Sequence, residues 1–125
     1  MAYFITGGTG FLGRFFIEKL QQRQGDIYVL TRTGSQQKFV TLQERYPILA
    51  ERLIPVTGDL TQPLLGLDEA TIKELAGKIT HFCHFAAVYD IAASAEAQHG
   101  PNIEGTRNAV RLAEALQAGC FQHVS

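Results

Sequence analysis

The sequence predicts an α/β fold, a doubly wound parallel sheet of five strands in the order 3-2-1-4-5. Three observations support this prediction. A short apolar run near the N-terminus leads through a cluster of glycines directly into an amphipathic helical pattern. Further apolar runs alternate with helical patterns, and short turns that contain Gly or Asp join them. Right-handed crossovers that start from the first unit give the stated strand order.

The first unit is a strand, a tight turn and a helix. Its glycines fit Gly-x-Gly-x-x-Gly through Gly8, Gly10 and Gly13, and also Gly-x-x-Gly-x-x-Gly through Gly7, Gly10 and Gly13. Glycine lets the backbone approach a pyrophosphate closely, and the free N–H groups at a helix start attract an anion. An ordinary glycine-rich turn is the alternative. We expect a nucleotide to bind here, through Gly7, Gly10, Phe11, Leu12 and Gly13.

The next elements follow in order. Gly25 is expected to close the first helix, and residues 26–31 predict a second strand that is buried on both faces. A helix then ends near Tyr46, because Pro47 cannot continue it. Residues 53–57 predict a third strand, which Pro55 confines to a sheet edge because proline cannot donate to a ladder.

The second half of the chain completes the pattern. Asp68 caps a short helix over 69–76, and residues 79–85 predict the fourth strand. A helical stretch runs from about 92 to 118. Gly100-Pro101 is expected to divide it, with the second piece starting near Asn102. Residues 121–124 predict a fifth strand, so the chain forms one domain over 1–125 that is expected to be cut off after this strand.

Composition excludes several classes of function. The net charge is −1 and the basic residues are dispersed, so we expect no nucleic-acid partner. The apolar runs are too short for a membrane span, and a strand that starts next to Met1 leaves no room for a signal peptide, which predicts a cytoplasmic protein. Cys83 and Cys120 are expected to be small buried hydrophobic residues. No histidine has ligand spacing to them, so no metal site is predicted.

Arg32 indicates which dinucleotide binds. NAD-binding domains of this class usually carry an acid at the end of the second strand, where it holds the ribose hydroxyls. Arg32 occupies that place, 19 residues after Gly13. A guanidinium can bind a 2′-phosphate with two charge-assisted hydrogen bonds, whereas a carboxylate would repel it. A solvated arginine in a polar turn is the alternative. The sequence therefore favours NADP(H), and NAD(H) stays open.

Five blocks of sequence, in family order, resemble the extended branch of the short-chain dehydrogenase/reductase family. They are Thr6 to Gly13, Gly58-Asp59-Leu60, His84-Phe85-Ala86-Ala87, Asn102 to Thr106 and His123-Val124-Ser125. Within that family, the chain looks most like reductases of fatty acyl-CoA and other thioesters. The resemblance implies a Rossmann-type fold, a nicotinamide dinucleotide and a small-molecule substrate, an acyl thioester, aldehyde or ketone. A homo-oligomer stays open.

The resemblance also implies roles for individual residues. Asp59 would accept a hydrogen bond from the adenine amino group, with the Leu60 backbone alongside. Ala86 and Ala87 would pass close under the nicotinamide ribose, and Asn102 would bridge loops or touch the nicotinamide end. For Asp59 a turn aspartate is the alternative, and for Asn102 a structural role is equally compatible with the sequence.

The chain departs from the family pattern in its chemistry. Family members use a Ser or Thr after the fifth strand and a Tyr-x-x-x-Lys, in which the tyrosine acts as acid or base. No tyrosine of this chain has a lysine four positions later, and the reactive Ser/Thr would follow Ser125, so no catalytic residue is assigned. We expect the N-terminal cofactor-binding piece of an oxidoreductase. The alternatives are a stand-alone binding or redox-sensing module, and a fragment of an epimerase or dehydratase.

Overall fold

Strands and helices alternate along the described part of the chain. The computed structural model describes residues 2–8, 11–34, 36–85 and 95–123, and within them the side chains of 11, 12 and 95–102 are left undescribed. The elements are β1 (Ala2–Thr6), α1 (Phe11–Lys19), β2 (Asp26–Thr31), α2 (Gln36–Arg45), β3 (Leu53–Thr57), α3 (Glu69–Leu75), β4 (His81–His84), α4 (Ala95–Ala115) and β5 (Cys120–His123).

The five strands form one parallel sheet in the order β3-β2-β1-β4-β5, which confirms the predicted topology. Thr6 pairs with His84, and Thr31 pairs with Thr57, so the carboxyl ends of the strands meet along one edge. Pro55 lies in β3, the edge strand, as predicted, because its missing N–H breaks no interior ladder there. This carboxyl edge is where a doubly wound sheet places its ligand.

Helices lie on both faces of the sheet, because the inner strands β1 and β4 present apolar side chains to both sides. On one face, Ile17 of α1 and Leu42 of α2 pack against Ile5, Ile27 and Val29. The opposite core packs side chains of α3 and α4 against the sheet; among its buried residues are Phe4, Leu75, Phe82, Leu112 and Leu116. Burying both faces gives the inner strands β1 and β4 a second set of contacts, which stabilises a parallel sheet.

An aromatic ladder ties the middle of the sheet together. The rings of Phe4 and Phe82 stack at 4.8 Å between centroids, and those of Phe82 and Phe121 at 5.4 Å. The ladder therefore crosses β1, β4 and β5 on the face that α4 covers. Stacked rings at this separation add to the free energy gained from burial, so this ladder helps to set the register of β4 against its neighbours.

Three predictions about elements are wrong. α4 is one continuous helix through Gly100-Pro101; the lost hydrogen bond and the crowding by the proline ring are offset by the packing of the later turns of α4 against the sheet. The first helix ends before Gly25; α1 stops at Lys19 and a 3₁₀ turn at Gln22 follows. Only one face of β2 is fully buried, since Tyr28 is partly exposed beside a cavity of about 390 Å³ between β3 and α3.

The two cysteines differ in their surroundings. Cys83 is buried as predicted, and burial raises the pKa of its thiol to about 11. Cys120 is exposed, which contradicts the prediction. It pairs with His81 on the α1 side of β5, the last strand of the sheet, and no helix among the described residues covers that side. Both thiols are free.

Candidate cofactor crevice at the carboxyl edge of the sheet

The turn after β1 has the backbone that a phosphate site needs. Gly7 adopts φ +73°, a left-handed conformation that side chains disfavour. α1 then begins at Phe11, so its first N–H groups have no partner within the helix. A dinucleotide pyrophosphate placed at this turn would therefore meet free backbone donors and the positive end of the helix dipole.

Gly13 lets α1 pack directly onto the turn. A Cβ at Gly13 would lie 2.0 Å from the carbonyl oxygen of Gly7 and 2.8 Å from the Cα of Gly8. Both contacts are with backbone, so no change of rotamer could relieve them. Gly8 has a different role: its Cβ would meet the side chains of Ile17 and Val29 at 3.0 and 3.1 Å, which is core packing. The close approach of helix and turn therefore depends on Gly13.

Arg32 lies immediately beyond the carboxyl end of β2, and its side chain is exposed. Within the described residues no carboxylate forms an ion pair with it. Its charge acts on Asp59 of the neighbouring loop: the N–H and the hydroxyl of Thr61 hold the pKa of the Asp59 carboxyl below its usual value, and Arg32 acts in the same direction. Arg32 follows β2 and Asp59 follows β3, so both lie on the same side of the turn after β1 (the phosphate turn).

The loop after β3 is built around Asp59. Its Oδ1 accepts hydrogen bonds from the N–H of Thr61 at 2.9 Å and from its hydroxyl at 2.8 Å. The Asp59 N–H donates to the carbonyl of Leu65 at 2.8 Å, which closes the loop. Gly58 is needed at the loop entrance, because a Cβ there would lie 2.5 Å from that same carbonyl oxygen. The predicted alternative, a turn aspartate, is therefore present in the structure.

Asn108 is a site residue that the sequence reasoning missed. Its side chain is 3% exposed, and its Nδ2 donates a 2.7 Å hydrogen bond to the carbonyl of Leu60. α4 thereby holds the Asp59–Leu60 loop in place. One signal could have revealed it: Asn108 lies one turn before Leu112 and two turns before Leu116, so a polar residue interrupts an apolar helix face.

His84 is the second such residue. It ends β4, its side chain is 0% exposed, and both ring nitrogens have hydroxyl partners. Nδ1 lies 2.6 Å from Thr6 Oγ1, and Nε2 lies 3.3 Å from Thr106 Oγ1. Burial lowers the pKa of His84 to about 4, and the stacked ring of His123 acts in the same direction. The imidazole is therefore neutral, and its two hydrogen bonds join β1 to α4.

Several predicted site residues lie wholly or partly outside the described residues. Gly10, Ala86 and Ala87 are outside. For Phe11, Leu12 and Asn102 the structure describes the backbone alone, within α1 for the first two and within α4 for the third. Their predicted contacts with a cofactor stay predictions.

The comparisons with known proteins agree with this geometry. The family model described as Male sterility protein, an NAD-binding family, matches residues 5–125. This chain belongs to that family. Its predicted membership of the extended short-chain dehydrogenases/reductases is thereby confirmed.

The relatives of this Male sterility family chain include much larger proteins. This chain is 35% identical over 133 residues to a subunit of the linear gramicidin synthase of Brevibacillus parabrevis, and the match covers 99% of this chain and 3% of that protein. It is 29% identical over 138 residues to fatty acyl-CoA reductase 1 of Mus musculus, covering 97% of this chain and 27% of that protein. The chain therefore spans only a small part of the curated relatives that it matches.

Solved structures place the fold of this Male sterility family chain among reductase domains. The terminal R domain of the myxalamid PKS-NRPS pathway matches with a TM-score of 0.81 and 34% identity, over 99% of this chain and 34% of that one. The R domain of a non-ribosomal peptide synthetase from Mycobacterium tuberculosis matches with a TM-score of 0.78 and 28% identity, over 99% and 32%. The described sheet is thus a Rossmann-type sheet.

The described residues of this family member are compatible with a bound dinucleotide. Gly7 has a positive φ, Gly13 leaves no room for a side chain between α1 and the turn, and Arg32 is an exposed cation directly after the neighbouring strand β2. No three His, Cys, Asp or Glu side chains in the described ranges come together as a metal site. None of the described helices is long and apolar enough to cross a membrane.

Proposed function

We propose that this chain is the NADP(H)-binding part of a reductase that acts on an acyl thioester, aldehyde or ketone. The observation that carries the proposal is the tight glycine turn between β1 and α1, with a positive φ at Gly7 and α1 packed onto it at Gly13, in a chain of an NAD-binding family. The names of its relatives, a fatty acyl-CoA reductase and R domains, favour a thioester substrate. A bound NADPH would supply the hydride for such a reduction.

The residues of this chain would bind and orient that cofactor. The turn and the start of α1 would hold the pyrophosphate, since they offer free N–H groups and a positive dipole end. Arg32 would hold the 2′-phosphate, and Asp59 would accept from the adenine amino group through Oδ2, because Oδ1 is engaged by Thr61. Thr6 and His84, behind the turn, are fully buried.

Arg32→Asp tests the choice of cofactor. We expect the parent chain to bind NADPH more tightly than NADH, and the variant to lose that preference. A charge-assisted hydrogen bond contributes about 1.5–3 kcal/mol, so the variant's affinity for NADPH should fall at least about tenfold. Both dissociation constants are measured by titration of NADPH and NADH fluorescence.

Arg23→Asp is the matched control. Arg23 is also an exposed arginine and flanks the other end of β2, away from the phosphate turn. The same change of charge there should leave the ratio of the two affinities unchanged. Equal affinities of the parent for NADPH and NADH would contradict the role of Arg32, and failure of the parent to bind either would contradict the proposed function.

A further inference from the structure

His84 connects two elements that border the crevice. Its Nδ1 lies 2.6 Å from the hydroxyl of Thr6, the residue before the phosphate turn, and its Nε2 lies 3.3 Å from the hydroxyl of Thr106 in α4. The strand register also places Thr6 and His84 opposite each other. The end of β1, the end of β4 and the middle of α4 are therefore joined through one imidazole.

Burying the imidazole of His84 at this position costs free energy. The ring is fully buried, and a buried polar group costs free energy unless its hydrogen bonds are made. A hydroxyl can either donate or accept, so Thr6 and Thr106 satisfy the neutral ring in either tautomer. His84 contacts His123 of β5, which is titratable, and Thr6 of β1 and Thr106 of α4, which are not. No acid faces His84 among these contacts. These contacts suit a neutral ring that fixes the distances between β1, β4 and α4.

Neighbouring contacts hold the same point of β4. The N–H of Phe85 donates to the carbonyl of Thr6 at 3.0 Å, which extends the pairing of β4 with β1 beyond His84. The Phe85 ring also meets the ring of Phe16 in α1 edge-on, with centroids 5.2 Å apart. The carboxyl end of β4 is therefore attached to β1, α1 and α4 together.

Different side-chain contacts hold the elements on the two sides of the phosphate turn. In the order β3-β2-β1-β4-β5, Arg32 and Asp59 follow the strands on one side of β1, and His84 ends the strand on the other. The first side is held through Asn108 and the Leu60 carbonyl. A dinucleotide whose adenosine half lies over β2 and β3 must extend its nicotinamide half toward β4, because its pyrophosphate is held at the turn between them.

We propose that His84 is a positioning residue for the nicotinamide half of the cofactor, acting through its hydrogen bonds to Thr6 and Thr106. It sets the separation of β1, β4 and α4 on that side of the turn. The inference rests on the proposed function, since it needs a dinucleotide at the turn. It assigns to His84 no contact with the reacting atoms.

Two ligands separate the halves of the crevice: NADPH, and adenosine 2′,5′-bisphosphate, which has no nicotinamide. Thr106→Val removes one hydroxyl from a half-buried position with little change of shape. His84→Asn removes Nε2, the atom that faces the Thr106 hydroxyl. Each should weaken NADPH binding by up to about fivefold, because the net contribution of the lost hydrogen bond, about 1 kcal/mol, limits how much its loss can cost the bound state, and each should leave the affinity for the bisphosphate unchanged. Asn108→Leu, which releases the Leu60 carbonyl, should weaken the binding of both ligands.

The outcomes separate the two proposals. NADPH affinity that is unchanged in both Thr106→Val and His84→Asn overturns the positioning role, and so does an equal loss for the two ligands, which is the signature of general destabilisation. Circular dichroism of each variant shows whether it is folded at the assay temperature. If His84→Asn does not fold, Thr106→Val alone decides. A parent chain that binds neither ligand overturns the proposed function, and this inference with it.

Discussion

Replacing Gly13 with alanine should destabilise the fold and the phosphate turn together. The new Cβ would lie 2.0 Å from the Gly7 carbonyl oxygen, and ordinary contact begins at 3.4 Å, so helix and turn must separate by about 1.4 Å. Every close atom belongs to the backbone, so we expect a cost near the upper end of about 1–3 kcal/mol for overpacking. Alanine is favoured over glycine inside a helix by about 1 kcal/mol, which offsets only part of it.

Gly105→Ala provides a control with the same chemistry. Gly105 also lies inside a helix, α4, but its Cβ would meet Leu60 Cβ at an ordinary 3.6 Å. Urea unfolding should therefore show Gly105→Ala to be as stable as the parent or up to about 1 kcal/mol more stable, and Gly13→Ala to be less stable. NADPH affinity of Gly13→Ala should fall at least about tenfold, because displaced N–H groups lose a charged partner. Equal stability of the two variants would refute the close-approach argument.

Three other outcomes can be measured on the same chain. The pKa of His84 is about 4 in the fold against an ordinary 6.5, so the unfolded state binds the proton first as pH falls, and the free energy of unfolding should drop by up to about 3 kcal/mol between pH 6.5 and 4. His84→Asn should remove most of that slope in urea titrations. Gly58→Ala, whose Cβ would lie 2.5 Å from the Leu65 carbonyl oxygen, should cost about 1–3 kcal/mol in the same assay and weaken NADPH binding. The chain alone should oxidise no NADPH with acyl thioesters, aldehydes or ketones, since its 125 residues contain no Tyr-x-x-x-Lys.

A specific result would contradict each of these predictions. An unchanged pH slope in His84→Asn would mean that other groups cause the acid sensitivity. Parent-like stability of Gly58→Ala would mean that the loop after β3 shifts without cost. Turnover by the chain alone, followed as loss of NADPH absorbance, would mean that a residue other than the family's tyrosine supplies the proton.

The order of elements and the sheet topology could be predicted because they depend on local patterns. Strands and helices are predicted from patterns among residues that are close in the sequence. Right-handed crossovers then leave few ways to arrange five strands. The same reasoning found the turn at Gly7–Gly13 and the cation at Arg32, since both lie at strand ends that the pattern locates. Pro55 similarly marked β3 as an edge strand.

Local patterns were less reliable where packing decides the outcome. Gly100-Pro101 was expected to divide α4, yet α4 continues through both residues, and its later turns pack against the sheet through Leu112 and Leu116. Cys120 has an apolar neighbour in sequence, yet it is exposed because β5 is the last strand and its α1 side is uncovered by any described helix.

By itself, the sequence determined the fold class, the strand order and the position of the glycine turn after β1, because these follow from residues that are close together in the chain. Only the tertiary structure decided which residues hold that turn and the loop after β3 in shape. Gly13 contacts Gly7, Asn108 contacts Leu60 and His84 contacts Thr6, and the last two pairs are 48 and 78 residues apart. Contacts at such separations depend on how strands and helices pack, and no local pattern of residues specifies them.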